Sequence, residues 1–371
     1  MTAKSAKSGD SDPAVSTWKL GYRPALDGLR ALAVILVILA HARVPGFRMG
    51  GQVGVTMFFA LSGFLITTLL VEERDRSGRI DLRAFYMRRA LRLLPAIIVF
   101  VAVVSAQSLL RGEENVWRNA AGALFYYGNW LRALTGTDLA LLSHTWSLSI
   151  EEQFYIVWPA ILLCVLALSG GGLRWLLILS AVGVFASVAV TQLLVADGAL
   201  VRVQFGSDTR ADGLLIGCIL ALLIVRRQPP KFGVWPAAVA LASLAALVAV
   251  FVEREFSFRW GQTLAATATA VLIASLLQPS WLTRVFSLRP LVFCGQISYG
   301  LYLWHFPILY GLTPVLWKQI PYWPRIIFLI SLSYLVAVVS YYVVERRFLE
   351  RKAQLGEARW VTEDPPRAER V

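Results

Sequence analysis

Two ionisable residues, Arg30 and His41, lie at the ends of a run that is otherwise wholly apolar, RALAVILVILAH. On an α-helix this separation places them within about 20° of one face, with about 16 Å of rise between them. Ionisable groups inside a membrane span are costly to bury and indicate a functional site, and Asp27 stands one turn before Arg30 as a partner for it. A histidine in such a site is suited to proton transfer. The alternative is that Arg30 extends to one interface and His41 lies in the other.

A second candidate group is carried by the stretch HTWSLSIEEQFYIVWP. Here Glu152 shares a helix face with Ser149 and Tyr155, whereas the adjacent Glu151 points about 100° away. We therefore expect one carboxylate to face a cavity and the other to face headgroups or water. Stabilisation of both carboxylates by the N-terminus of the helix is the alternative explanation.

The stretch GQISYGLYLWHFP places Ser298, Tyr302 and His305 on one helix face, at i, i+4 and i+7. The chain has three histidines. We expect His41, His144 and His305 in or near the outer half of the membrane, with Glu152 beside them.

Arg88, Arg89 and Arg92, named here the arginine cluster, precede Pro95 in FYMRRALRLLPA. Their spacing predicts an amphipathic helix at the inner surface, which Pro95 closes or bends as the next span begins. Arginine clusters bind phosphate groups through forked hydrogen bonds. Simple attraction to anionic lipid explains the spacing equally well.

Asp208, Arg210 and Asp212 lie close together in FGSDTRADGLLIG, at the start of another apolar run. A binding role for Arg210 competes with an N-capping role for Asp208.

The elements that must position these residues are membrane helices. The 371 residues are 57% hydrophobic and 16% charged, with a mean hydropathy of +0.62, which predicts an all-α, polytopic membrane helical bundle. We predict about ten transmembrane helices, near 26–42, 52–71, 93–110, 148–168, 174–195, 211–225, 232–252, 260–277, 291–312 and 326–344.

The segment 116–134 is more polar, and we interpret it as interfacial or re-entrant. Most of the 36 Lys and Arg residues then fall in the tails and loops of one side, which places both termini in the cytoplasm. The predicted organisation is a cytoplasmic tail at 1–24, a transmembrane domain at 25–350 and a cytoplasmic tail at 351–371. The positive charge on that side faces anionic lipid, so no nucleic-acid partner is needed to explain it.

The three cysteines, Cys164, Cys218 and Cys294, lie far apart within apolar runs. They predict neither a disulfide framework nor a metal site.

Taken in order, these stretches resemble the acyltransferase-3 family of integral membrane O-acyltransferases. The resemblance covers nearly the whole chain and is carried by YRPALDGLRALAVILVILAHARVPGF, GGQVGVTMFFALSGFLIT, FYMRRALRLLPA, HTWSLSIEEQFYIVWP, TRADGLLIG, ISYGLYLWHFPI and YYVVERRFLE. It implies transfer of an acyl group, commonly acetyl, from cytoplasmic acyl-CoA to a hydroxyl of a sugar or glycan. Acceptors in the family include peptidoglycan, lipopolysaccharide, exopolysaccharide and glycosylated metabolites such as macrolides.

The resemblance also assigns residues. The family pattern of Arg, ten residues and His falls on Arg30 and His41, and its RxxR pattern falls on Arg89 and Arg92. Its WSLxxEEQFY stretch marks Glu152 as the functional carboxylate.

Two departures from the family pattern stand out. Many relatives read VGVDxFFxLSGF, whereas this chain has Thr56 where that Asp is frequent. If the Asp assists the histidine in relatives, the help here must come from Glu152 or His305. We also expect no esterase-like SGNH domain at the C-terminus, so that transfer goes directly to the acceptor or to a separate partner.

The resemblance and the helical geometry together give a mechanistic hypothesis. Acyl-CoA docks its phosphates on the arginine cluster and extends its pantetheine arm past Arg30. His41 then acts as general base toward the acceptor hydroxyl, oriented by Glu152. A covalent acyl-enzyme on His41, Ser62 or Ser149 is the alternative. The other candidates for substrate binding or support are Asp27, Tyr155, Arg210, Ser298, Tyr302 and His305.

A transporter or flippase of a glycoconjugate or small anion is the rival class, since it would use the same polar groups at mid-membrane. The spans show no obvious inverted repeat, and the arginine cluster suits a phosphate-bearing donor that stays inside. We therefore favour an enzyme in the bacterial cytoplasmic membrane, whose partners are acyl-CoA, a glycan acceptor and the lipid bilayer.

Overall fold

The computed structural model describes residues 19–226, 234–249, 254–316 and 320–354. These residues form helices and connecting turns, with no β-strand among them, which confirms the predicted all-α membrane bundle. The α-helices are α1 (Pro24–His41), α2 (Gly50–Ser77), α3 (Leu82–Leu110), α4 (Val116–Leu124), α5 (Gly128–Thr135), α6 (Trp146–Leu168), α7 (Leu173–Ala196), α8 (Leu200–Phe205), α9 (Ala211–Arg226), α10 (Val234–Ala249), α11 (Arg254–Phe256), α12 (Gln262–Leu276), α13 (Trp281–Phe286), α14 (Arg289–Gln296), α15 (Ser298–Leu316), α16 (Tyr322–Ser340) and α17 (Arg346–Gln354). A 3₁₀ segment, Ala140–Thr145, leads into α6, and π-helical turns at Ser257–Gly261 and Tyr341–Glu345 lead into α12 and α17.

Six helical stretches of the described residues are long and apolar enough to cross a membrane. They are Pro24–His41, Gly50–Ser77, Leu82–Leu110, Ala140–Leu168, Leu173–Ala196 and Tyr322–Glu350. Two shorter apolar helices, Ala211–Val225 and Val234–Ala249, join them. All eight overlap a predicted span, while the full count of ten stays a prediction.

The polar segment 116–134 folds as the short helices α4 and α5, neither of which is long enough to cross a bilayer. One of its polar side chains, that of Asn129, forms hydrogen bonds within the protein. The fully buried Asn129 donates from Nδ2 to the carbonyl oxygen of Phe205 at 3.1 Å. Gln153 of α6 donates to the carbonyl oxygen of Tyr126 at 2.7 Å and to Asn129 Oδ1 at 2.9 Å. These bonds hold the hairpin of α4 and α5 against α6.

The predicted span 291–312 is wrong in its boundaries, because the helix is interrupted at Ile297. The backbone of Ile297 leaves helical geometry, so α14 ends before it and α15 begins at Ser298. The physical reason is a close contact of α14 with α1, where Gly295 packs directly on the carbonyl group of Asp27. The span that carries Tyr302 and His305 is therefore α15.

Of the two alternatives predicted for Pro95, that it closes or bends the helix with the arginine cluster, the structure excludes closure. Instead α3 continues through Pro95 from Leu82 to Leu110. Asp81 caps its first turn by accepting a hydrogen bond from the backbone N–H of Ala84 at 2.9 Å. The arginine cluster and the third span thus belong to one helix.

Glycines bring α2 into close contact with its neighbours. Gly54 packs on the carbonyl of Ala33 in α1, and Gly63 packs on the carbonyl of Leu214 in α9. Such small residues allow backbones to approach closely in membrane bundles. A side chain at Gly63 would overlap backbone atoms, which cannot rotate away.

We expect Gly63→Ala to destabilise the bundle by about 1–3 kcal/mol, the usual cost of overpacking. The matched control is Gly51→Ala on the same helix, because the nearest atom to an added Cβ there is the Ala40 Cβ at 3.5 Å, an ordinary contact. Thermal unfolding of both purified variants measures the difference. Equal melting temperatures would contradict the close contact between α2 and α9.

Candidate active site

The three histidines of the chain meet in one cluster. His41 is the last residue of α1, and its Nδ1 lies 3.0 Å from Nε2 of the fully buried His305. His144, in the 3₁₀ segment before α6, is also buried, and its ring centroid lies 5.4 Å from that of His305. The ring of Phe306 packs against both His41 and His144, at 5.2 and 4.8 Å.

Hydrogen bonding determines which nitrogens of this cluster carry protons. The carbonyl oxygen of Leu301 can only accept, so Nδ1 of His305, 3.2 Å away, donates to it. A second proton on this buried ring would leave a buried charge, so Nε2 of His305 accepts the hydrogen bond from Nδ1 of His41. His41 therefore keeps its lone pair on Nε2, the atom that can take a proton from a substrate.

Tyr302 fastens α15 to the segment that carries His144. Its hydroxyl donates to the carbonyl oxygen of His144 at 2.9 Å and accepts from Ser147 Oγ at 2.5 Å. The Tyr302 ring lies 5.5 Å from that of His305, so these two residues share a face as predicted. Ser298 is buried at the start of the same helix, without a side-chain hydrogen bond to the described residues.

Glu152 lies with the arginines rather than with the histidines. Its carboxylate accepts from Arg89 Nη2 at 2.7 Å, and the Arg89 guanidinium rests 3.1 Å above the centre of the Tyr155 ring. The expected pairing of Glu152 with His41 is therefore replaced by the bond between His41 and His305. The reason is helical rise, since Glu152 follows His144 by eight positions along the helical segment.

Glu151 also faces inward, in contrast to the expectation that only one of the two carboxylates would do so. It accepts from the hydroxyl of Ser62 at 2.5 Å. Ser149 is fully buried and donates to the carbonyl oxygen of Thr145 at 3.3 Å, within its own helical segment. A carbonyl cannot take the serine proton, so this geometry disfavours Ser149 as a nucleophile.

The N-terminal end of α1 carries the predicted pair of Asp27 and Arg30, at 2.7 Å. Asp27 also accepts from the hydroxyl of Tyr22 at 3.0 Å. Burial and the adjacent Asp27 carboxylate raise the pKa of Tyr22 to about 12, so the phenol keeps its proton and donates.

Arg88 and Arg92 differ in how they are paired. Arg88 forms an ion pair with Glu73 at 3.2 Å. Arg92 is half-buried and forms no ion pair or hydrogen bond with the described residues. The π-helical turn before α17, which holds the buried Glu345, packs against α3, the helix that carries Arg92. Arg92 is thus the member of the arginine cluster without a carboxylate partner among the described residues, which leaves its guanidinium for a ligand.

The predicted group of Asp208, Arg210 and Asp212 separates in the structure. Asp208 takes two hydrogen bonds from Arg202, at 2.8 and 2.7 Å. Arg210 is fully buried and donates from Nη2 to the hydroxyl of Thr56 at 3.0 Å. Thr56 therefore faces α9 and Arg210, and position 56 is not a partner of His41.

Sequence reasoning missed Glu345 and Ser147. Glu345 follows an apolar run and precedes two arginines, so it reads as the ordinary polar end of a span. The one available signal was that a carboxylate at the edge of an apolar run is costly to bury. Ser147 belongs to the same stretch as Glu152, where the carboxylates dominated the interpretation.

Two chemically different regions are therefore joined by α1. At one end His41 offers a lone pair for deprotonating a hydroxyl. About 16 Å of helical rise away, guanidinium groups suit an anionic ligand. Such an arrangement fits a reaction in which an anionic donor and a hydroxyl-bearing acceptor approach from opposite ends.

Comparison with known proteins shows the family to which the chain belongs. A family model described as an acyltransferase domain, acyltransferase-3, matches residues 23–342. No solved structure matches the chain.

Among curated relatives, the Listeria monocytogenes peptidoglycan O-acetyltransferase OatA is 34% identical over 344 residues, which are 87% of this chain and 55% of that protein. A Staphylococcus aureus (strain MSSA476) protein, provisionally named an O-acetyltransferase, is 36% identical over 363 residues, 92% of this chain and 59% of its own length. A Bacillus subtilis protein, YrhL, provisionally named a peptidoglycan O-acetyltransferase, is 35% identical over 346 residues, 88% of this chain and 54% of its own. The chain spans little more than half the length of these relatives. The matched domain covers most of the chain, which therefore belongs to the acyltransferase-3 family.

Proposed function

We propose that this protein is a membrane-bound O-acyltransferase that moves an acyl group, acetyl in the first instance, from cytoplasmic acyl-CoA to a hydroxyl of a glycan acceptor. The observation that carries the proposal is the hydrogen bond between His41 and His305, which leaves Nε2 of His41 as a proton acceptor. Two of the relatives are named for peptidoglycan, which makes peptidoglycan or a precursor the first acceptor to test.

In the proposed reaction, Nε2 of His41 removes the proton of the acceptor hydroxyl as its oxygen attacks the thioester carbonyl. The bond between the carbonyl carbon and sulfur then breaks, and the CoA thiolate takes the proton back from His41. While His41 is positively charged, its Nδ1–H still donates to Nε2 of His305, which holds the ring in place. The products are an ester of the acceptor and free CoA.

The donor would enter from the cytoplasmic side. Arg30, Arg88 and Arg89 each form an ion pair with a carboxylate, whereas Arg92 forms none with the described residues, so we assign Arg92 as the main phosphate anchor. This narrows the expectation that the whole arginine cluster docks the phosphates. Arg30 and Arg89 then line the path of the pantetheine arm toward His41. We place the protein in the bacterial cytoplasmic membrane, with both tails in the cytoplasm.

The first prediction concerns the proton acceptor. His41→Ala should lower acyl transfer by about 10²–10⁴-fold, the usual contribution of a general base. His305→Gln keeps an oxygen that can accept from His41 and should retain more activity than His305→Leu, which cannot. The measurement is transfer of label from radiolabelled acetyl-CoA to acceptor by the purified protein in proteoliposomes.

Unchanged turnover in His41→Ala would remove the base assignment. Movement of the acceptor across the membrane without release of CoA would instead establish the transporter. Acyl label that stays on the protein without acceptor, and is lost in Ser62→Ala, would establish a covalent intermediate in place of direct transfer.

The second prediction concerns the donor anchor. Loss of a charged hydrogen bond costs about 1.5–3 kcal/mol, so Arg92→Gln should weaken CoA binding by about 10–100-fold. Glu345→Gln removes a carboxylate whose ionised form opposes a phosphate near Arg92, and it should strengthen CoA binding several-fold. Calorimetric titration of the purified protein with CoA measures both effects.

The matched control for Glu345→Gln is Glu350→Gln. Glu350 belongs to an exposed pair with Arg346 at 3.0 Å and should leave CoA binding unchanged. If Glu345→Gln weakens binding, or if both variants change it equally, the assignment of Arg92 and Glu345 is contradicted.

A further inference from the structure

Arg210 is the largest of the fully buried side chains, and its hydrogen bonding is incomplete. Only 1% of it is exposed. Nη2 donates to Thr56, but Nε and Nη1 have no partner among the described residues. The donors of a buried arginine are normally satisfied, because a charged donor that loses its water without gaining a hydrogen bond destabilises the folded state.

Arg210 also lacks a carboxylate in direct contact. No ion pair within 4.0 Å joins it to a described acidic residue. The neighbouring Asp212 attracts it at longer range, but that carboxylate accepts from the hydroxyl of Thr263 at 2.6 Å. Aromatic rings of Phe59 and Trp146, with centres 5.5 and 5.8 Å from the guanidinium carbon, surround the charge without neutralising it.

A small crevice opens on the other side of Thr56. Its lining includes Thr56, Gln52 and Met49 near the start of α2, together with Ser257 and Gln262 around the π-helical turn. The enclosed part has room for about one water-sized atom. Because α2 begins on the outer side in the predicted topology, the crevice faces outward.

Two hydrogen-bond donors in this crevice have no acceptor among the described residues. Gln262 is 5% exposed and its Nε2 has no partner among the described residues. The hydroxyl of Thr56 accepts from Arg210 and keeps its own proton for donation. The hydroxyl of Ser257 is already used, since it donates to Gln52 Oε1 at 3.0 Å. A charged guanidinium behind two unfilled donors favours an anion over a neutral occupant.

The side chain at position 56 determines whether the positive charge of Arg210 is neutralised by the protein itself. An Asp in place of Thr56 would add a carboxylate at this position. At hydrogen-bond distance from Arg210, that Asp would form an ion pair with it. The shorter and neutral Thr56 leaves the positive charge available to an external carboxylate.

We propose that Thr56, Gln262 and Arg210 form an anion site on the outer side of the bundle that takes the carboxylate of an acidic sugar. One carboxylate oxygen accepts from the Thr56 hydroxyl and the Gln262 amide, while Arg210 supplies the charge through Thr56. That this sugar belongs to the acceptor glycan rests on the proposed function; the anion site itself does not.

The test compares melting temperatures of the purified full chain in detergent with sodium glucuronate, sodium chloride at equal ionic strength, and glucose. A ligand that binds the folded state raises the melting temperature. We expect glucuronate to raise it by several degrees more than chloride or glucose. Thr56→Asp supplies a fixed carboxylate, so it should melt higher than the unmodified chain without ligand and should not respond to glucuronate.

Gln262→Leu is the second variant, and it keeps the Arg210 and Thr56 pair intact. It should fold and lose most of the glucuronate response, so the proposal stays testable if Thr56→Asp does not fold. No glucuronate response in the unmodified chain, or an equal response in Gln262→Leu, overturns the anion site. An equal response to chloride overturns its assignment to a sugar carboxylate. Melting is measured without acyl-CoA, so failure of acyl transfer leaves this result unaffected.

Discussion

No water is available inside a bilayer to solvate a charged side chain, so each charge in a membrane bundle needs a partner supplied by the protein. The rest of this structure depends on that constraint. Asp27 serves Arg30, Glu73 serves Arg88 and Glu152 serves Arg89. The first pair lies within α1, and the other two connect α3 to α2 and to α6, where apolar packing alone would give little orientation. Arg92 and Arg210 have no such carboxylate within ion-pair distance among the described residues, and there we assign ligands.

The histidine cluster follows a different rule. Its members are neutral groups that pair with backbone carbonyls and with each other, so it needs no carboxylate. A neutral neighbour fixes the orientation of His41 without drawing an extra charge into the membrane. The carboxylates instead pair with arginines at the other end of α1, where we propose that the donor binds. Proton transfer and donor binding are thus assigned to opposite ends of this helix.

Local periodicity was sufficient to predict much of this arrangement. The shared face of Tyr302 and His305, the partnership of Asp27 with Arg30 and the exclusion of 116–134 from the spans all follow from spacing and composition. Local periodicity could not predict the tertiary contacts. The break at Ile297 depends on Gly295 meeting the backbone of α1, and the partner of Glu152 depends on how far α3 reaches alongside α6. The burial of Glu345 likewise depends on the packing of its π-helical turn, and local sequence patterns do not predict that packing.

The continuity of α3 through Pro95 has a mechanical consequence. Near its middle, the carbonyl oxygen of Leu93 accepts from the hydroxyl of Tyr299, at 3.2 Å. Just past its outer end, Arg111 donates to the carbonyl oxygen of Gly311, at 2.8 Å. These two bonds fasten α3 to α15 on either side of His305. The helix that carries Arg92 and the helix that carries His305 therefore form one stiff frame, with a fixed depth between them. In such a frame, we expect the length of the proposed donor, rather than a movement of the protein, to determine how near its reactive end comes to His41.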